Sequence, residues 1–268
     1  MSLVDVFAGF VGAVPHREVA LPWGRAAVWD LGDGPPAVLL HGIAGSRRIF
    51  FRLAPLLAER RRVIVPPLRG DDRPRDDFGF EELLDDLGAL LEALDLRGAA
   101  LVGTSFGAAL ALAYAARSDP RVASVVAQGA FSHFRLRLRD RALLSATRVL
   151  PQELGAAYFA RRVLRGRETR LLEAKAPGLG ALLADWSRKT PFRTLRRRIR
   201  LIHENDLGPR IAADRTPLTL AHGALDPVVP PRHFERLCRL RPDARARRWE
   251  GEGHLVPLSS PQLIAGLL

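Results

Sequence analysis

The chain has 268 residues, which suits one large α/β domain or a core domain carrying an insertion. Hydrophobic residues at 47% exclude a disordered chain, and the single cysteine, Cys238, excludes a disulfide framework or a cysteine-based metal site. The net charge of +12 first suggests nucleic acid, but residues 131–205 hold 18 Lys and Arg against 6 Asp and Glu, and the remainder is balanced at 23 of each sign.

The apolar patch from Val4 to Val14 contains Asp5 and lacks a basic leader. It reads neither as a secretory signal nor as a membrane span, which leaves the cytoplasm as the expected location. Strands are predicted at 18–21 and 25–30, and Pro22-Trp23-Gly24 between them is short enough for an antiparallel hairpin. A strand at 37–41, a helix at 46–58, a strand at 62–65 and a helix at 80–94 follow. A buried strand at 99–102, a helix at 105–117 and a strand at 122–128 complete the first half. Strands separated by helical runs predict a mainly parallel sheet with crossover helices.

From about Phe131 the pattern changes. Arg135 to Arg139 alternate with period two, yet the run through Leu150 has helical spacing and is read as helix. Pro151, Pro177-Gly178 and Pro191 punctuate further helical pieces up to about Glu204. Alternation resumes with a strand at 217–222, a helix at 232–240, a strand at 244–249 and a helix at 261–268. The expected organisation is therefore a core at 1–130, a helical arginine-rich insertion at 131–205 and a second core portion at 206–268. No internal repeat stands out.

Gly103-Thr104-Ser105-Phe106-Gly107 falls at a strand-to-helix junction. A G-x-S-x-G sequence there holds the serine in a strained turn above the sheet, with free helix N–H groups behind it. A serine nucleophile needs a base, and the base needs a carboxylate to orient it. Among seven histidines, His254 lies in the glycine-rich loop Gly251-Glu252-Gly253-His254-Leu255, after the last predicted strand. His222 ends a strand and His233 begins a helix, so structural roles are expected for both. Asp226 follows a predicted strand and precedes Pro227, which favours a fixed turn; the loop after 122–128 offers no acid. A surface-loop histidine and a plain turn aspartate are the bland alternatives. His41-Gly42-Ile43-Ala44-Gly45-Ser46 supplies a further glycine-rich turn after a strand. The backbone N–H groups of Ile43 and Phe106 are the candidate oxyanion hole. A phosphate-binding reading of that turn lacks the P-loop lysine and the G-x-G-x-x-G pattern.

Oxyanion loop, Ser105, Asp226 and His254 follow one another in the chain order of the α/β-hydrolase superfamily, which the sequence resembles over 1–130 and 206–268. The resemblance implies an eight-stranded, mostly parallel sheet flanked by helices, with a helical cap inserted after strand 6 at 131–205. Many members carry an aspartate in the segment that here reads Val65-Pro66-Pro67-Leu68-Arg69-Gly70, where Pro67 replaces it. Ser105 argues against the aspartate-nucleophile dehalogenase and epoxide-hydrolase chemistries.

The expected function is a carboxylesterase-like serine hydrolase that cleaves an ester or related acyl bond through an acyl-enzyme, without cofactor or metal. An acyltransferase, a perhydrolase or a C–C bond hydrolase would use the same three residues. A non-catalytic binding protein is the rival from another class. Phe131, Phe134, Tyr158, Phe159 and Trp186 are the candidate pocket lining. The basic insertion suggests an anionic small-molecule substrate, or peripheral contact with an acyl carrier or an anionic membrane surface. Nucleic acid is not expected, since no recognisable binding module is present.

Overall fold

Short apolar runs in extended conformation present alternate side chains to opposite faces, so a strand buried on both faces feeds two cores. In β3 (Pro36–Leu40), Val38 and Leu40 join one core and Leu39 the other. In β5 (Ala99–Thr104), Leu101 and Val102 divide in the same way. The computed structural model describes residues 2–44, 46–136, 138–146, 166–189 and 191–268. The remaining strands are β1 (His16–Leu21), β2 (Gly24–Leu31), β4 (Arg62–Val65), β6 (Val122–Gln128), β7 (Leu218–Gly223) and β8 (Arg245–Trp249).

The eight strands form one sheet in the order β1-β2-β4-β3-β5-β6-β7-β8. β2 runs antiparallel to both β1 and β4, and every other pairing is parallel. The chain builds outward from β3 to β4, then returns to the other side of β3 with β5. The order reverses between β3 and β5, and crevices open at the carboxyl ends of strands at such a point. The two glycine-rich turns of the sequence, His41–Ala44 and Thr104–Gly107, both lie there.

Helices α3 (Phe80–Ala93) and α4 (Phe106–Ala115) cover one face of the sheet, while α2 (Leu53–Ala58) and α1 (Leu3–Ala13) pack on the other. In α3, Leu83, Leu84, Leu87, Leu90 and Leu91 form an apolar stripe at helical spacing, all buried. Each contributes roughly 1.5–3 kcal/mol relative to exposure. All ten residues of α4 are buried, and its composition (FGAALALAYA) has no polar face to offer water.

The segment between β6 and β7 contains α5 (Leu138–Ala146), α6 (Arg167–Lys175), α7 (Leu179–Lys189), α8 (Phe192–Glu204) and α9 (Gly208–Ala213). α10 (Pro231–Leu240) joins β7 to β8, and α11 (Val256–Ser259) and α12 (Pro261–Ala265) end the chain. The predicted helical pieces between 147 and 165 lie outside the described residues.

One expectation needed revision. The predicted helix 46–58 is a 3-10 turn, Arg47–Phe50, followed separately by α2. Pro55 lacks an N–H, and its ring would collide with the Phe51 carbonyl in a continuous helix, so the helix must restart near Leu53. The apolar N-terminal patch is helix α1, whose Ser2 hydroxyl accepts the Asp5 N–H at 3.2 Å while Asp5 accepts the Ser2 N–H at 2.8 Å. Asp5 is thus part of a capping box. Among the described residues no helix is long and apolar enough to cross a membrane.

Candidate active site

Ser105 stands between β5 and α4 with φ 56° and ψ −114°, a backbone conformation that non-glycine residues rarely adopt. Sterics on either side account for the flanking glycines. A Cβ on Gly107 would overlap the Leu40 carbonyl of β3, and one on Gly103 would overlap the backbone of Gly107 and Ala108. The turn can therefore close only with glycine at both positions. Ser105 itself is almost fully buried.

The Ser105 N–H donates to the Gln128 carbonyl at the end of β6, at 2.8 Å. The Gln128 side-chain amide donates to the His254 carbonyl at 3.0 Å. A methyl on the next residue, Gly129, would lie 3.2 Å from the His254 ring and 3.5 Å from Asp226 Oδ2. Three sequence-distant loops thus converge at the carboxyl end of β6.

His254 Nδ1 lies 2.6 Å from Asp226 Oδ2, and both side chains are buried. An ionised carboxylate only accepts, so Nδ1 carries the proton and the Nε2 lone pair is left available. The other Asp226 oxygen accepts the N–H groups of Val228 and Val229 at 2.7 and 2.8 Å. Burial pushes the Asp226 carboxyl up, but the His254 charge and these hydrogen bonds pull it below the usual carboxylate range. Burial also opposes a charge on His254. The adjoining Asp226 carboxylate outweighs it, with a smaller contribution from Glu168, and lifts the imidazole above its ordinary value.

The glycine-rich turn after β3 lies beside the serine, since a methyl on Gly42 would sit 3.5 Å from Ser105 Cβ and 4.0 Å from its Oγ. Phe106 opens α4, and neither its N–H nor that of Ile43 donates to a backbone carbonyl among the described residues. Past Pro67 in the segment after β4, Asp71 is the carboxylate that meets the glycine-rich turn. It accepts from the Leu68 N–H and from His41 Nε2, both at 2.7 Å.

Phe131 and Phe134 pair edge to face at 5.5 Å just past β6, and the His233 ring stacks on Phe134 at 5.2 Å. Trp186 is set elsewhere: it packs on Phe7 of α1 and on Phe51, in the core on the α2 face. The structure thus places this candidate pocket residue in a core contact, because α1 brings an aromatic surface to α7 that no residue spacing signals. Tyr158 and Phe159 lie outside the described residues. His222 and His233 have structural surroundings. The first stacks on Phe234 at 5.4 Å, and burial together with Arg232 and Arg236 lowers the second to about 4.

Sequence reasoning missed four residues. In the sequence Gln128 is simply the last residue of the strand at 122–128, and Asp71 is one acid among several in a polar stretch. Arg198 and Glu168 were lost in the arginine-rich segment. Arg198 is buried, donates to Asp71 at 2.8 Å and to the Arg69 carbonyl at 3.0 Å, and lies over the Phe106 ring. Glu168 accepts the His254 N–H at 2.8 Å and the Leu255 N–H at 2.7 Å. Among the described residues no cluster of side chains could hold a metal ion.

Residues 37–267 match the model of the alpha/beta hydrolase family, and the chain belongs to that family. It is 30% identical to the magnesium-chelatase 30 kDa subunit of Rhodobacter capsulatus, over 88% of this chain and 86% of that one. It is also 39% identical to the 2-hydroxy-6-oxo-2,4-heptadienoate hydrolase of Pseudomonas putida, over 38% of this chain and 39% of the relative. The enol-lactonase of Burkholderia xenovorans LB400 has a similar structure, with a TM-score of 0.82 at 18% identity over 94% of this chain and 97% of that one.

Proposed function

We propose that the protein is a serine hydrolase that cleaves an ester or closely related acyl bond. One residue gives this reading its main support. Gln128 takes the Ser105 N–H on its carbonyl and holds the His254 carbonyl with its side chain, so serine loop and histidine loop meet at one strand end.

Ser105 Oγ attacks the substrate carbonyl while His254 Nε2 takes its proton. Asp226 fixes the imidazole through Nδ1 and stabilises the imidazolium as it forms. The N–H groups of Ile43 and Phe106 receive the developing oxyanion, donors whose individual loss typically costs about 10²–10³ in rate. His254 then returns the proton to the leaving group and activates a water that releases the acyl group. Residues 131–205 act as a cap, with Phe131 and Phe134 on the acyl side of the site. A fluorophosphonate probe tests the proposal: it labels the wild type and spares Ser105→Ala. A folded wild type that resists labelling would leave a binding protein on a hydrolase scaffold.

Cleavage of a C–C bond is the second chemical reading, favoured by the likeness to the Pseudomonas putida heptadienoate hydrolase. That likeness spans well under half of either chain, so the acyl-bond reading is preferred. Product analysis with paired ester and diketone-type substrates separates the two.

A further reading concerns assembly and leaves the chemistry intact. The Rhodobacter capsulatus relative is named as a subunit of magnesium chelatase, and its likeness extends over most of both chains. On this reading the hydrolase works in company with a magnesium chelatase. Affinity purification from the native cell tests it: chelatase subunits co-elute if the reading holds and are missing if it fails.

A further inference from the structure

Helix α6 belongs to the segment between β6 and β7, yet its two ends grip the histidine loop. Near its start, the buried Glu168 spreads both carboxylate oxygens over consecutive backbone donors, the N–H groups of His254 and Leu255. The fit is close: a Cβ on Gly253 would overlap the Glu168 carboxylate. Near its end, Lys175 pairs with Glu252 at 2.6 Å. Glu252 in turn accepts hydrogen bonds from the Ser259 and Ser260 hydroxyls, both at 2.7 Å. Between these points Leu172 is fully buried in the same core as Val256 and Leu258.

We propose that Glu168 is a positioning residue for His254, and that α6 is the brace that sets the histidine loop against Ser105. The inference rests on the serine-hydrolase reading above. A carboxylate suits the place because it accepts at both oxygens. A glutamine would accept one N–H and turn its own NH2 group toward the other. Two short hydrogen bonds to adjacent amides fix the loop in translation and in rotation, and placement of a base within fractions of an ångström carries much of its catalytic value. Its negative charge also favours the imidazolium formed during attack.

The groups facing His254 are Asp226 from the turn after β7 and Glu168 from α6, and His222 of β7 lies within the field of Asp226 and His254. Burial holds the Glu168 carboxyl above the usual range, against the pull of the His254 charge and the two amides. Neither Asp226 nor Glu168 can substitute for the other, because one holds the ring and the other the backbone. Any displacement of α6, by a bound substrate or a partner, therefore reaches the base directly.

The experiment measures hydrolysis of p-nitrophenyl acetate and fluorophosphonate labelling for wild type, Ser105→Ala, Glu168→Gln and Lys175→Met, with circular dichroism to check folding. Glu168→Gln is expected to lose about ten- to hundred-fold in kcat with KM within about twofold of wild type, and the acid limb of its pH profile moves to lower pH. Lys175→Met, at the more exposed end of the brace, keeps the fold and loses about two- to fivefold in kcat, a smaller effect because Glu252 retains its two serine donors. A folded Glu168→Gln enzyme with wild-type kcat and an unmoved acid limb overturns the proposal. Should Glu168→Gln fail to fold, an unchanged kcat in Lys175→Met overturns it. Labelling of Ser105→Ala as fast as wild type strikes the serine reading itself, a failure distinguishable from that of the brace.

Discussion

Arg198 of α8 donates to Asp71 at 2.8 Å with its side chain sealed from solvent, so an ion pair fastens the segment after β6 to the loop after β4. His41, at the base of the glycine-rich turn beside Ser105, meets the same carboxylate at 2.7 Å. Removing one partner of such a pair strands the other charge in a low-dielectric site. Asp71→Ala is expected to cost about 3–5 kcal/mol of stability, read by urea denaturation. A loss below about 1 kcal/mol would mean that Arg198 finds another partner or water.

Acid sensitivity follows from the same contact. Burial pushes the Asp71 carboxyl up, but His41 and Arg198 pull it well below the usual range. A folded value below the unfolded one, about 3.9, gives stability that is complete above it and fades as pH falls through the folded value. Stability of the wild type should therefore decline below about pH 4 more steeply than that of Asp71→Asn. Parallel decline in the two proteins would contradict the assignment.

In the site, His254 acts as base only when neutral, and its imidazole is held above the ordinary value. The rising limb of kcat/KM against pH is then expected above about 6.5. The same shift means that protonation of His254 favours the fold at low pH, and that this gain disappears as pH rises through the folded value. Asp226→Asn, which removes the nearest negative charge, should move the limb to lower pH and reduce kcat by about 10⁴-fold. Ser105→Ala should lose about 10⁴- to 10⁶-fold while keeping its melting temperature.

Crowding at the elbow gives a prediction about stability alone. Gly107→Ala places a methyl group inside the Leu40 carbonyl, so β3 and α4 must separate. Overpacking of this kind costs roughly 1–3 kcal/mol. A thermal melt indistinguishable from wild type would show that α4 can shift at no cost.

Four arginines of α8 are held in ion pairs within the protein. Arg193 and Arg196 pair with Asp76, Arg197 with Glu204 and Arg198 with Asp71. Electrostatic steering by this helix should be weak. For a negatively charged p-nitrophenyl ester, kcat/KM should vary less than about threefold between low salt and 0.5 M, where screening is nearly complete. A tenfold fall would return the anionic-substrate expectation to this segment.

Local chemistry made the sheet, the elbow and the candidate triad readable from the sequence. Strand periodicity, Gly103 and Gly107 around Ser105, and the Asp226-Pro227 turn are each fixed by neighbours a few residues away, and steric or hydrogen-bond rules act at that range. Pro55 is an equally local signal, a breaker set inside a run of helical hydrophobic spacing. What tertiary structure alone decided are the contacts between chain-distant partners. Gln128 with His254, Glu168 with the His254 and Leu255 amides, Arg198 with Asp71, and Trp186 with Phe7 leave no periodic trace. Their energies depend on which surfaces meet after the chain has collapsed, and nothing in the spacing of residues along the chain encodes that meeting.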